Sequence, residues 1–226
     1  MTPELITFDC YGTLVDWEGG IEAAIRSEFT RAGDLSREEL LTAFHEIQDE
    51  LKTSEYRSYR ELLAQVGEGV ASRWGWPLLP ERREFIAESI ARWTPFEDTS
   101  AALLRLREAG HRLGILSNID NDLLAATRSH FPVEFDLLVT AEDLCSYKPS
   151  TPHFDTALDE VGGDPSRMLH VAQSLFHDVR TAAALGIPVV WVNRKGEPAP
   201  ADISPVAETR DVAEAVEWLQ ARVGAV

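Results

Sequence analysis

Cysteine is scarce in this chain. Cys10 and Cys145 are the only two in 226 residues, and no CxxC pair exists. A disulfide framework is thereby excluded, and two buried, inert thiols in a reducing cytoplasm are the simplest expectation. Long apolar runs are lacking too. None approaches the ~20 residues needed to cross a bilayer. The N-terminus, MTPELITFDC, has no basic stretch leading into an apolar core, so no secretory signal is expected. Basic residues are few against acids, 21 to 38, for a net charge of −17. Such a surface repels nucleic acid and anionic membranes, and neither is expected as a partner. Repeats and low-complexity tracts are missing. What remains is an ordinary globular composition, 44% hydrophobic and 26% charged, sized for one domain with an insertion or two small ones.

The texture of the chain changes twice. Glu4–Phe8 reads as a short strand that stops at Asp9, and Cys10-Tyr11-Gly12-Thr13-Leu14 as a turn out of it. From Trp17 to Trp93 the periods are helical and charge-rich. There Ser36 with Glu39 forms a capping-box signature, followed by Ala43, Phe44, Ile47 and Leu51 at helical spacing. Beyond Pro95, short strands alternate with helices. Strands are expected at 112–116, 135–140, 168–172 and 188–192. Helices are expected at 99–109, 120–130, 151–161 and 177–185, with a last one marked by Val212, Val216, Leu219 and Val223. The stretch 195–203 reads as a polar loop. This alternation implies an α/β fold, a Rossmann-like parallel sheet with helices on both faces. Residues 1–16 plus 94–226 form the expected core, and 17–93 the expected inserted helical cap.

Ligands of open parallel sheets bind beyond the carboxyl ends of the strands. Each of those ends carries a reactive or hydrogen-bonding group here: Asp9, then Ser117-Asn118, then Lys148-Pro149, then Gln173-Ser174 leading to Asp178. Taken singly, each reads as a turn former, a helix cap or a solvated lysine. Four along one edge form a constellation. Asp9 has the chemistry of a covalent nucleophile. Thr13 and Ser117 offer hydroxyls, Asn118 an amide, and Lys148 a compensating cation which Asp178 can hold in turn. Opposite charges ~4 Å apart attract by ~4 kcal/mol at an effective dielectric of 20. That attraction is expected to hold Asp9 ionised, below its reference pKa of ~3.9.

These four segments resemble the signatures of the haloacid dehalogenase superfamily: Phe8-Asp9-Cys10-Tyr11-Gly12-Thr13-Leu14, Leu116-Ser117-Asn118, Tyr147-Lys148-Pro149, and Val171-Ala172-Gln173-Ser174 through Asp178. The resemblance spans nearly the whole chain. It implies a Rossmann-like core with a helical cap inserted after the first motif. Phosphate-cleaving members carry an acid where this chain has Tyr11, and a magnesium-binding acid where it has Gln173. A phenol, with reference pKa ~10, is too weak to replace the first. A neutral amide is a poor partner for so hard a cation. Asp-x-Tyr-Gly-Thr resembles instead the metal-free L-2-haloacid dehalogenases.

That branch implies a hydrolase without cofactor or metal, acting on a small-molecule carboxylic acid. Asp9 would displace halide from a 2-haloacid with inversion, and water would then release a 2-hydroxy acid from the Asp9 ester. Thr13 and Ser117 would hold the substrate carboxylate or the ester oxygens, and Asn118 the departing halide. Tyr11 and Ser174 would complete the binding set, while Lys148 and Asp178 orient the nucleophile and the hydrolytic water. A halide-gripping arginine belongs in the cap, with Arg57 and Arg60 as candidates. Trp17, Tyr56, Tyr59 and Trp93 are the aromatic candidates for the pocket wall. The chain departs from the pattern at Phe154, where a tyrosine is common, and at Ala172-Gln173-Ser174-Leu175, where Ser-Ser-Asn is usual. Asp16–Ile21 and His177-Asp178 resemble a branch that includes fluoroacid-cleaving enzymes and an azetidine-2-carboxylate hydrolase. Strained-ring C–N cleavage is therefore an alternative, followed by phosphatase activity and by a non-catalytic binding protein. A homodimer is one assembly open to such a chain.

Overall fold

The computed structural model of the protein describes residues 2–51 and 55–223. Residues 1 and 224–226 of the expected core segment, and 52–54 of the expected cap, lie outside the described residues. Six strands form one sheet: β1 (Leu5–Phe8), β2 (Arg112–Ser117), β3 (Leu137–Thr140), β4 (Met168–Ala172), β5 (Val189–Val192) and β6 (Ala207–Thr209). Their order is β3-β2-β1-β4-β5-β6, with every neighbouring pair parallel. The first, fourth and fifth strands are buried throughout, which matches their near-continuous apolar sequences and requires cover on both faces. Side chains alternate between two cores. Leu5, Leu116, Phe154 and Trp191 pack on one face, and Ile6, Phe8, Ile115 and Val171 on the other.

The helices that follow the insertion are α5 (Thr99–Glu108), α6 (Asn121–Arg128), α7 (Ala141–Leu144), α8 (Pro152–Asp159), α9 (Arg180–Ala184) and α10 (Val212–Val223). Four cap helices are inserted between β1 and α5: α1 (Trp17–Glu28), α2 (Arg37–Glu50), α3 (Tyr59–Trp74) and α4 (Phe85–Ser89). The chain enters and leaves this insertion side by side, since Val15 bridges Pro95 and the amide of Asp16 donates to Thr94. Ser36 and Glu39 make the expected capping box at the start of α2, whose Ala43, Phe44 and Ile47 are buried. The apolar faces of the cap run into one core with the sheet, through Ile21, Phe44, Leu63 and Ile86.

Three features differ from the sequence reading. The edge strand β6 was not expected; at three residues it is too short to show an alternation. The helix expected at 177–185 begins earlier, as a π-helical turn over Leu175–Val179. Cys145 is exposed, not buried: it terminates the single-turn helix α7 with φ 45°, which turns its side chain outward. Cys10 is buried as expected.

Candidate active site

Asp9 leaves the sheet where the connections reverse, because β1 pairs with β2 on one side and β4 on the other. The amides of Leu14 and Val15 both donate to the carbonyl of Cys10 and close a tight turn. Gly12 sits in that turn at φ 99°, a conformation costly for any residue with a Cβ. The turn returns Thr13 to Asp9, and the Thr13 hydroxyl donates to Asp9 Oδ2 at 2.9 Å. The Thr13 oxygen accepts in turn from the amide of Gln173, and the Thr13 carbonyl from Arg194.

Lys148 reaches the opposite oxygen. Its Nζ donates to Asp9 Oδ1 at 3.0 Å, to Asp178 Oδ1 at 2.6 Å and to the Leu116 carbonyl at 2.7 Å. All three proton sites of the ammonium are thus used. The ion cluster is nearly dry: the side chains of Lys148 and Asp178 are each 1% exposed and that of Asp9 11%. Burial pushes Lys148 down, yet Asp178 and Asp9 together outweigh it and raise its pKa, so it stays charged. Asp178 falls to about 2, because Lys148 and His170 outweigh its burial. Asp9 behaves otherwise than expected. Its burial, reinforced by the Asp178 charge, outweighs the attraction of Lys148 and raises it above 3.8. One ammonium serves two buried carboxylates, and Asp178 takes the shorter contact.

Asn118 is bonded twice to the backbone of Lys148. Its Oδ1 accepts from the Lys148 amide at 2.7 Å, and its Nδ2 donates to the Lys148 carbonyl at 3.0 Å. One N–H of that amide remains for a ligand. The Ser117 hydroxyl is buried beside the cluster and meets no protein partner among the described residues. The phenol of Tyr11 is bonded to Thr127 at 2.7 Å, and burial holds it well above its ordinary pKa, so it stays neutral and offers the site its ring. Ser174 caps the π-helical turn: its oxygen accepts from the His177 amide, and its hydroxyl pairs with His177 Nδ1.

A cavity of about 530 Å³ lies between these residues and the cap. It is lined by Asp9, Tyr11, Ser117, Asn118, Lys148, Ser174 and Asp178; Thr13 stands behind Asp9. The cap contributes Trp17 and Tyr59 of the expected aromatics. Trp93 is instead packed edge-on against Tyr11, and Tyr56 lies tilted against the Tyr147 ring. His45, Gln48, Leu62, Phe176 and His177 also line the cavity, and the sequence reading had not singled them out as its wall.

The two arginine candidates separate. Arg57 lines the cavity, and its Nη1 donates to Gln65 at 2.5 Å. Arg60 lies outside the lining, its guanidinium tied to Glu84 and Asp122. It serves cap docking, alongside Asp120, whose carboxylate accepts the amides of Tyr59 and Arg60 at 2.8 Å each. An Arg57→Ala variant should therefore raise KM for an anionic substrate about ten- to a hundredfold, the weight of one charge-assisted hydrogen bond. Arg60→Ala should move KM about threefold at most, because Arg60 lies outside the cavity lining, and should lower the unfolding temperature only slightly, because part-exposed ion pairs contribute little. Steady-state kinetics and a thermal melt on both variants check this; equal effects on KM would refute it.

No helix of the described residues is long and apolar enough to cross a membrane. A family model described as a hydrolase, haloacid dehalogenase-like hydrolase, matches residues 3–186. An (S)-2-haloacid dehalogenase of Pseudomonas putida is 28% identical over 218 residues, covering 95% of both chains. A glyceraldehyde 3-phosphate phosphatase of Methanothermobacter thermautotrophicus is also 28% identical, over 199 residues, covering 83% of this chain and 84% of its own. Among solved structures, an L-2-haloacid dehalogenase shares the fold with a TM-score of 0.82 at 22% identity, covering 97% of this chain and all of the other.

Proposed function

The chain belongs to the haloacid dehalogenase-like hydrolases, and from that premise we propose that it cleaves the carbon–halogen bond of a 2-haloacid through an ester on Asp9. One observation carries the choice within the family. Two residues beyond the nucleophile stands a neutral phenol tied to Thr127, where proton-transferring chemistry would need an acid. A halide leaves as a stable anion and needs no proton, whereas an alkoxide or amine leaving group does. Among the relatives, the Pseudomonas putida (S)-2-haloacid dehalogenase supports this reading.

The steps follow from the contacts. An Asp9 oxygen attacks C2 from the side opposite the halogen. The C–O bond forms as the C–X bond breaks, the pair leaving with halide, and C2 inverts. The Ser117 hydroxyl and the spare Asn118 N–H are the donors left for substrate carboxylate or halide. Lys148 and Thr13, each on one Asp9 oxygen, aim the nucleophile. Water then adds to the ester carbonyl carbon of Asp9, and the 2-hydroxy acid leaves with the other oxygen. Of the water's two protons, one ends on the oxygen of the departing 2-hydroxy acid and the other goes to solvent, and Asp9 returns as a carboxylate.

A magnesium ion does not suit these residues. The two carboxylates that face each other share the Lys148 ammonium, which leaves the donor set one net negative charge, and Gln173 adds only an amide. Among the described residues no group of three or more His, Cys, Asp or Glu could hold a metal.

A panel of 2-chloro- and 2-bromoacids, assayed for halide and for inorganic phosphate from phosphate esters, tests the reading. Halide release that survives exhaustive chelation, with heavy oxygen from labelled water found in Asp9, is the expected result. Phosphate release restored by magnesium, with no halide from any acid, would overturn it.

A further inference from the structure

His170 lies in the middle of β4, in the otherwise apolar segment Met168-Leu169-His170-Val171-Ala172, and it is fully buried. The parallel register sets it directly opposite Thr7 of β1, on the same face of the sheet. The two side chains meet, with Thr7 Oγ1 2.8 Å from His170 Nδ1. The other ring nitrogen, Nε2, lies 3.1 Å from Asp178 Oδ1. A carboxylate oxygen only accepts, so Nε2 carries the proton and Nδ1 accepts from the Thr7 hydroxyl. A line of hydrogen bonds thus runs from the sheet interior to the nucleophile: Thr7, His170, Asp178, Lys148, Asp9. Phe154 packs edge-on against the imidazole and brings it no polar atom.

The consequence lies in which oxygen of Asp178 is held. Lys148 and His170 both donate to Oδ1, while Oδ2 is buried and meets no protein donor among the described residues. One donor would leave the carboxylate free to turn about its soft terminal torsion and exchange its oxygens. Two donors, from different elements, fix the plane. Asp178 lines the cavity, and Oδ2 is its oxygen without a protein donor.

We propose that His170, set by Thr7, is a positioning residue for the hydrolytic half of the reaction, fixing Asp178 so that Oδ2 aligns the water that attacks the Asp9 ester. The inference rests on the aspartyl-ester reading given above. The other titratable groups around this line are Lys148, Asp9 and His153; the last is pushed down to about 4 by burial and Lys148, and its Nε2 donates to the Ser117 carbonyl.

The test compares wild type with His170→Phe, His170→Gln and Thr7→Val, using (S)-2-bromopropionate as the probe. Rapid quenching with mass spectrometry follows formation and loss of the Asp9 ester separately. In His170→Phe, ester hydrolysis should slow about ten- to a hundredfold while alkylation changes about threefold at most, so the ester accumulates. His170→Gln, which returns an N–H near the Nε2 position, should recover most of that loss. Equal losses in both half-reactions, or a glutamine variant no better than phenylalanine, would overturn the proposal. Imidazole spectra of nitrogen-labelled wild type provide a readout without turnover. They should show the neutral His170 ring carrying its proton on Nε2, as its contacts to Thr7 and Asp178 require, and Thr7→Val should populate the other tautomer. An Nδ1-protonated ring in wild type would overturn the proposal outright. If wild type forms no ester with any 2-haloacid, the proposed function fails and the spectra alone decide the role of His170. If His170→Phe does not fold, Thr7→Val carries the kinetic comparison, with ester accumulation again expected and its absence contrary.

Discussion

Replacing Asp9 by asparagine should remove turnover, by at least about 10⁴-fold in kcat, and should leave the protein as stable as wild type or more so. The loss follows from chemistry, since a neutral amide does not displace halide. The stability follows from the charge count at the site. Asp9, Asp178 and Lys148 together bury one net negative charge. With asparagine the remaining pair is balanced, and the amide oxygen still accepts from Lys148. The direction of the Asp9 shift sets the pH dependence. In the folded protein its pKa is raised above the 3.8 of an open chain. Between those values the folded state binds more protons than the unfolded state, so the Asp9 charge lowers stability as pH rises through that window. The advantage of Asp9→Asn should therefore be full at neutral pH and vanish as pH falls below 3.8. Denaturant melts of both proteins at neutral and acid pH check this, together with a kinetic assay. An asparagine variant less stable than wild type at neutral pH, with the difference unchanged in acid, would mean that the carboxylate supports the fold.

Much of this was legible in the sequence, and the parts that were not share a cause. The strand ends were readable because an apolar run, a polar residue and a glycine turn follow one another at Phe8-Asp9 and Gly12, and because the strand expected at 135–140 leads through Ala141–Tyr147 to Lys148-Pro149. Capping at Ser36 was readable because it is local. Depth of burial was not. The sequence sets Lys148 against Asp9, with Asp178 able to hold it in turn, but does not say that Asp178 takes the shorter contact, or how dry the site is, so the expected sign of the Asp9 shift was wrong. His170 escaped for a related reason. A single polar residue inside a buried strand is a visible signal, since such a residue needs a partner, but the partner Thr7 is 163 residues away and only the strand register reveals it. Arg57 and Arg60 could not be told apart because three residues on a cap segment decide which guanidinium faces the cavity and which faces Asp122.

Removing the ammonium should have the second large effect. In Lys148→Ala, the acid limb of kcat/KM should move upward by about one to three pH units, the range set by one close opposite charge. Asp9 Oδ1 and Asp178 Oδ1 lie 3.0 and 2.6 Å from one Nζ, so without it two buried carboxylates face each other. Each loses an attraction of ~4 kcal/mol at an effective dielectric of 20, and their mutual repulsion is left uncompensated. Asp9, already raised, rises further, and a larger share of it is protonated and unreactive at any acid pH. Asp178 keeps its His170 donor and so remains the more acidic partner. The fold should also lose about 3–5 kcal/mol, because a buried charge is left without its counterion. Lys148→Met, which keeps the volume without the charge, separates the two effects: packing returns but the acid limb stays displaced. Lys148→Arg should restore charge but not full rate, since a planar fork does not fit where a compact ammonium meets three acceptors. Adding ethylamine to Lys148→Ala offers the most direct check. A small ammonium entering the vacated space should bring the limb back down in proportion to its concentration. Acid limbs that superimpose for wild type, alanine and methionine variants would show that Lys148 does not govern the charge of Asp9, and the assignment of Asp9 as an ionised nucleophile held by that lysine would fall with it.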